Sequence, residues 1–193
     1  MFDNLFFKLE KLLKTSNFVN YAVSECCNDL GLPPMLCHGD LWNNNILWHN
    51  YDDGSASNEI LAFIDFTEVF IGNPMFDLAK LMIFGVDAEI RREVETTIFE
   101  HYFNEFLKNV GIHIANPFDG KLDQLKQAYG YCMVYMALEL ALWSVYFKEA
   151  TITYETIPEV HEAKMEKLML RARLALDDAV QFLEKHDRKW IIN

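Results

Sequence analysis

The sequence predicts an α+β fold that is mostly α, on three observations. Residues 87–110, 119–148 and 159–185 carry apolar side chains at helical spacing. Two short apolar runs, 45–49 and 59–64, flank the turn-rich segment Asp52-Asp53-Gly54-Ser55-Ala56-Ser57-Asn58, which reads as a β-hairpin. Ahead of the hairpin stands Leu36-Cys37-His38-Gly39-Asp40-Leu41-Trp42-Asn43-Asn44-Asn45-Ile46-Leu47-Trp48, a polar centre in an apolar frame. At 193 residues the chain fits one domain over 1–193, with a motif core at 36–79 and a helical remainder at 80–193.

In chain order, residues 2–14 read as an amphipathic helix with Leu5, Leu9, Leu12 and Leu13 on one face. Ser16 is placed to cap a second helix, with Val19, Ala22, Cys26 and Leu30 inward. Gly31 suits the position after a helix end, and Pro33-Pro34 forbid continuation. Residues 35–37 form a short apolar entry to the polar loop. The hairpin follows, and Asp65 ends its second strand, so the turn brings Asp65 to the same end as the loop. Gly72-Asn73-Pro74 breaks the chain, and Asp77 opens a helix with Leu78, Leu81 and Met82 inward. The 87–110 helix buries a stripe of Ile90, Val94, Ile98, Tyr102, Phe106 and Val110. Asn116-Pro117 is a loop, and so are residues 151–158. The last helix turns Met165, Leu168, Ala172, Ala175, Ala179 and Phe182 inward.

Composition narrows the function. A net charge of −12 without a basic run argues against nucleic acid, whose phosphates need clustered Lys and Arg. With 51% hydrophobic residues the chain can bury a sizeable core. Cys26, Cys27, Cys37 and Cys132 form no C-x-x-C, so they read as reduced, buried thiols of a cytoplasmic, reducing compartment. Residues 129–147 are long and apolar enough to span a bilayer, but Glu139 would cost about 3 kcal/mol at its centre. A central helix buried by other helices is the expectation there, with no membrane span.

The chemistry sits in the spacing His38-x-Asp40-x-x-x-x-Asn45, followed by Phe63-Ile64-Asp65-Phe66. Phosphoryl transfer asks for a carboxylate beside the acceptor hydroxyl, oxygen ligands for magnesium, and a phosphate clamp. Asp40 can supply the first. Asn45 can return its amide beside Asp40 through a tight loop, and Asp65 adds a charged metal ligand. Magnesium takes few protein oxygens when a nucleotide's phosphates supply the rest. His38 reads as a loop-shaping hydrogen-bonding residue, and Gly39 permits a turn that a Cβ would hinder. Asp77 either bonds backbone amides of the loop or simply caps its helix. Trp42 and Trp48 read as core. Tyr129, Tyr131, Tyr135, Glu139 and Trp143 are candidate substrate lining, with core packing the plainer alternative.

His38-Gly39-Asp40-Leu41-Trp42 with Asn45-Ile46-Leu47-Trp48, then Ile64-Asp65-Phe66, Gly72-Asn73-Pro74 and Asp77-Leu78-Ala79, resembles the ecdysteroid kinase-like (CHK, choline-kinase-like) family. That family belongs to the aminoglycoside phosphotransferase and choline kinase group of the protein-kinase-like fold. The resemblance implies a kinase C-terminal lobe, a helical lobe whose small hairpin carries the catalytic and metal-binding loops. It implies transfer of a phosphoryl group from ATP, with Mg²⁺, to a hydroxyl of a small molecule. It carries over Asp40 as catalytic base, Asn45 and Asp65 as ligands of magnesium and its nucleotide, and Asp77 as loop support. Thr67 stands where protein kinases have Gly.

Kinases of this fold also carry an N-terminal lobe with a glycine-rich strand pair and a strand lysine. The 37 residues before His38 read as two helices, and no two of the eight glycines make a G-x-G. The expectation is a chain that binds Mg-ATP weakly and turns over slowly or not at all. It should also expose apolar surface that favours homo-oligomers. Two other readings stay open. One is a pseudokinase-like binding module. The other is a metal-dependent phosphohydrolase on His38, Asp40 and Asp65, for which His49, His101, His113, His161 and His186 lie in no fitting register.

Overall fold

A computed structural model of the chain describes residues 3–14, 16–109, 117–149 and 158–192. Helix α1 (Asp3–Leu13) buries Leu9 and Leu12 of the expected face and half-buries Leu5, whereas Leu13 is exposed. The next helical segment is less regular than its sequence suggests. It runs as α2 (Asn17–Asn20), a π-helical turn at Tyr21–Glu25, and α3 (Cys26–Leu30). A π turn rotates the stripe that follows it. Phe18, Tyr21, Ala22 and Cys26 are buried, Cys27 beyond the turn is buried as well, and Val19 and Leu30 are only half-buried. Ser16 has helical backbone angles and makes no side-chain cap bond, so the expected cap is corrected. Gly31 closes the segment at φ 64°.

Among the described residues two antiparallel ladders form, not one. Strand β2 (Ile46–Asn50) pairs with β3 (Ala56–Phe63) in the expected hairpin, with Ile46 opposite Phe63 and Leu47 opposite Ala62. The hairpin turn is tighter than predicted, because Ala56, Ser57 and Asn58 join the second strand. Strand β1 (Met35–Cys37) pairs with β4 (Phe70–Gly72), placing Leu36 opposite Ile71. Strands of three residues are too short to show a period of two, which is why the sequence concealed this ladder. Leu36 and Ile71 are 74% and 69% exposed, and Leu61, Phe63 and Phe66 are exposed as well.

Helix α4 (Phe76–Gly85) buries Phe76, Ala79, Met82 and Ile83, with Leu78 and Leu81 half-buried. The single helix expected at 87–110 is two: α5 (Ala88–Val94) and α6 (Ile98–Asn109). At the break, the hydroxyls of Thr96 and Thr97 donate to the carbonyls of Glu93 (2.7 Å) and Val94 (3.3 Å). Such local bonds compete with helix continuation. Arg91 is buried and paired with Glu95 and Asp178, which ties α5 to the last helix. The predicted stripe shifts accordingly: Ile90 is exposed and Phe99 is buried. Val110, Asn116 and residues 151–157 lie outside the described residues.

Helix α7 (Leu122–Glu149) is the centre of the core, packed against α4 and against α8 (Pro158–His186). Ala128, Ala137 and Ala141 of α7 and Ala172, Ala175 and Ala179 of α8 are all buried, so small side chains let the two helices approach. By length and composition, residues Leu122–Phe147 could cross a membrane, and more than half of them are buried within this fold.

Candidate active site

The site is built outward from Asn73, which is fully buried. Its side-chain amide donates to the carbonyls of Ala22 (2.9 Å) and Ala128 (3.0 Å), and its side-chain oxygen accepts from the N–H of Met75 (3.0 Å). Its own N–H donates to the carbonyl of Val23 at 2.7 Å. One polar side chain thus fixes where α4 begins relative to the π turn and α7.

Asp77 stands in the first turn of α4, and its carboxylate leaves the helix. It accepts from the main-chain N–H of His38 (2.7 Å) and of Gly39 (3.0 Å). Of the two roles the sequence allowed, the structure therefore takes loop support over a simple helix cap. Gly39 has φ 83°, and a Cβ there would lie 2.0 Å from the carbonyl oxygen of Glu68. Only glycine fits this turn without displacing backbone.

His38 closes the loop onto the hairpin. Its Nε2 lies 2.9 Å from the carbonyl of Ile64, and its Nδ1 accepts from the N–H of Asp40 at 3.3 Å. With Nδ1 accepting, the proton belongs on Nε2, which donates to Ile64. The ring packs on Phe66 at 4.4 Å between centroids. These are loop-shaping bonds, as the sequence suggested.

Asn45 returns to Asp40 across the predicted five-residue loop. Its Nδ2 donates to the Asp40 carbonyl (2.8 Å) and to Asp40 Oδ2 (3.1 Å), bonds that leave Asn45 Oδ1 unused. Its own carbonyl accepts from the N–H of Ile64 at 3.0 Å. Ile64 is thereby tied to the loop at both its N–H and its C=O, and Asp65 is the next residue. Asp65 adopts left-handed backbone angles (φ 63°, ψ 64°), alone among the described non-glycine residues. That conformation costs about 1–2 kcal/mol in an L-residue, and strain of this kind gathers at functional positions. Thr67 Oγ1 donates to Asp65 Oδ1 at 2.7 Å and so holds the carboxylate.

Lys80 is a site residue that the sequence did not single out. Its ammonium lies 2.8 Å from Asp40 Oδ1 and 3.5 Å from the carbonyl of Gly39. A helical lysine just past Asp77-Leu78-Ala79 carries no local signal of its own, because its partner is distant in the chain.

A cavity of about 620 Å³ opens beside Asp40 and Lys80. Trp42, Tyr135, Glu139 and Trp143 line it, so three of the five candidate lining residues are there. Tyr129 and Tyr131 are not; they are buried and hydrogen-bonded to Glu95 and Asp187. Trp42 is 37% and Trp48 43% exposed, which corrects the expectation that both are core. Burial and a 2.6 Å hydrogen bond to Glu139 keep the Tyr135 phenol protonated. No group of three or more His, Cys, Asp and Glu side chains that could hold a metal occurs among the described residues. Asn45 Oδ1 and the Asp65 carboxylate therefore suit a metal only when phosphate oxygens complete its shell.

A family model described as "Uncharacterized oxidoreductase dhs-27" (DUF1679) matches residues 4–186. The chain belongs to the DUF1679 family. Two curated relatives come from Caenorhabditis elegans. The protein named uncharacterized oxidoreductase dhs-27 is 33% identical over 137 residues, which is 70% of this chain and 17% of that one. An uncharacterized kinase-like protein is 27% identical over 153 residues, 77% of this chain and 38% of that one. The DUF1679 chain thus spans well under half the length of either relative. No solved structure matches it.

Proposed function

We propose that this chain carries the catalytic and metal-binding loops of a small-molecule kinase, in a C-terminal lobe of the protein-kinase-like fold. The reaction is the ATP- and Mg²⁺-dependent phosphorylation of an alcohol, as in the CHK family. One observation supports it above the others: His38, Asn45 and Ile64 hydrogen-bond the Asp40 loop to the strand end that carries Asp65. The kinase-like name of one relative points the same way.

In this reading Asp40 orients the acceptor hydroxyl and takes its proton as the oxygen attacks the γ-phosphorus of ATP, with ADP leaving. Asn45 and Asp65 would hold the magnesium, whose charge offsets that of the phosphates. Asp77 keeps the loop amides fixed, and His38 keeps the loop on the hairpin. The cavity beside Asp40 receives the acceptor, and its mostly apolar and aromatic lining suits a neutral alcohol of drug-like size.

The other relative's name, oxidoreductase, belongs to a protein of which this chain covers 17%. The described ladders are both antiparallel, whereas a dinucleotide fold needs a parallel sheet. Titration of the chain with Mg-ATP, followed by thermal shift, tests the kinase reading. We expect weak stabilisation that disappears in Asp65→Ala. Stabilisation that survives Asp65→Ala counts against the metal role, and none at any concentration favours a non-catalytic binding module.

A further inference from the structure

Lys80 follows Asp77 by three residues, so both side chains leave α4 on one face, toward the loop. They do different things there. Asp77 holds the loop backbone through the N–H groups of His38 and Gly39. Lys80 holds a side chain, the Asp40 carboxylate, at 2.8 Å.

The backbone of the loop is already fixed by Asp77, by His38 on Ile64, and by Asn45 on the Asp40 carbonyl. What those bonds leave free is rotation of the Asp40 carboxylate. Asn45 engages Oδ2 and Lys80 engages Oδ1, so the group is gripped from both sides. The Lys80 side chain is 15% exposed and that of Asp40 32%, which shields the pair more than a surface ion pair. Next to the ammonium lies the ring of Phe84, 5.7 Å away at its centroid. Lys80 is also the one cation among the described residues that line the cavity, against Asp40, Glu68 and Glu139.

We propose that Lys80 is a positioning residue for Asp40, fixing the rotamer that points its carboxylate at the acceptor. The proposal rests on the phosphoryl-transfer reading. Without Lys80 the carboxylate keeps one donor on one oxygen and gains freedom to turn, and the acceptor hydroxyl loses its fixed partner.

The test uses the whole chain with Lys80→Met and Lys80→Arg. NMR of ¹³C-labelled aspartate reads the carboxyl carbons, with Asp40 and Asp77 assigned from Asp40→Asn and Asp77→Asn. Lys80→Met is expected to move and broaden the Asp40 signal and leave Asp77 in place. The thermal midpoint should fall by no more than about 4 °C. ADP release from Mg-ATP, with water as acceptor, should lose about 100-fold in kcat at unchanged KM for ATP. Lys80→Arg should restore both the signal and the rate. An Asp40 signal unmoved by Lys80→Met overturns the proposal, and so does a rate loss that Lys80→Arg fails to rescue. A wild-type chain that shows no Mg-ATP binding brings down the kinase reading and this proposal with it. That outcome is told apart from the others because the carboxyl signals report the Lys80 contact without nucleotide.

Discussion

The α-carbon of Gly39 faces the carbonyl oxygen of Glu68 so closely that a Cβ would sit 2.0 Å from it. The turn before Asp40 is thus shaped against the segment after Asp65, and backbone meets backbone. Gly39→Ala meets this clash and a left-handed φ together. We expect a loss of about 2–4 kcal/mol in urea unfolding.

Asp77 makes a second prediction. Replacing it by Ala leaves the N–H groups of His38 and Gly39 without their acceptor, at a cost of about 1–3 kcal/mol. Asp77→Asn keeps one acceptor and should lose less. Urea midpoints of the two variants measure the difference, and equal losses would argue that Asp77 matters only as a charge.

Alkaline pH should weaken the fold through Cys37. Burial first, and then the Asp77 carboxylate, push its thiol from 9.0 to about 12. Between those values the folded chain holds a proton that the unfolded chain has released. Its contribution is complete below about pH 9 and declines as pH rises toward about 12, by about 1.4 kcal/mol per pH unit. Tyr102, raised from 10.0 to about 12 by burial and then by Cys37 and Asp77, adds to the decline in the upper part of that range. Urea midpoints between about pH 8 and pH 11 should fall less steeply in Cys37→Ala than in the wild type.

The exposed pair Leu36 and Ile71 offers a surface for self-association. Leu36→Lys with Ile71→Lys should lower the mass found by light scattering at high protein concentration and leave the thermal midpoint nearly unchanged. A mass that stays the same would place any self-association elsewhere.

Some of this was legible in the sequence because the signals are local. His38, Asp40 and Asn45 lie within one loop, and the turn at Asp53-Gly54 returns the chain so that Asp65 ends beside it. The long helices α7 and α8 follow from unbroken apolar periodicity. Other features depend on partners remote in the chain. Lys80 and Asp40 are separated in the chain by β2, β3, β4 and the first turn of α4. Strands β1 and β4 are each too short to show a pattern and exist through their pairing. The break between α5 and α6 depends on hydroxyl bonds at Thr96 and Thr97, where side-chain periodicity alone runs on unbroken. The π turn at Tyr21–Glu25 adds a residue that a 3.6 period does not contain.

Asn73 has one more consequence, and it concerns time. Its bonds to Ala22, Val23, Ala128 and Met75 make the base of Asp77 part of the helical core, where amides exchange with solvent only when the whole molecule opens. Strands β2 and β3 are mostly exposed and pack chiefly on each other, so they can open alone and often. Asp40 is anchored to the slow part and Asp65 ends the fast one. The bonds from Ile64 to His38 and Asn45 are the seam between them, and whatever lengthens the life of that seam lengthens the life of the assembled site.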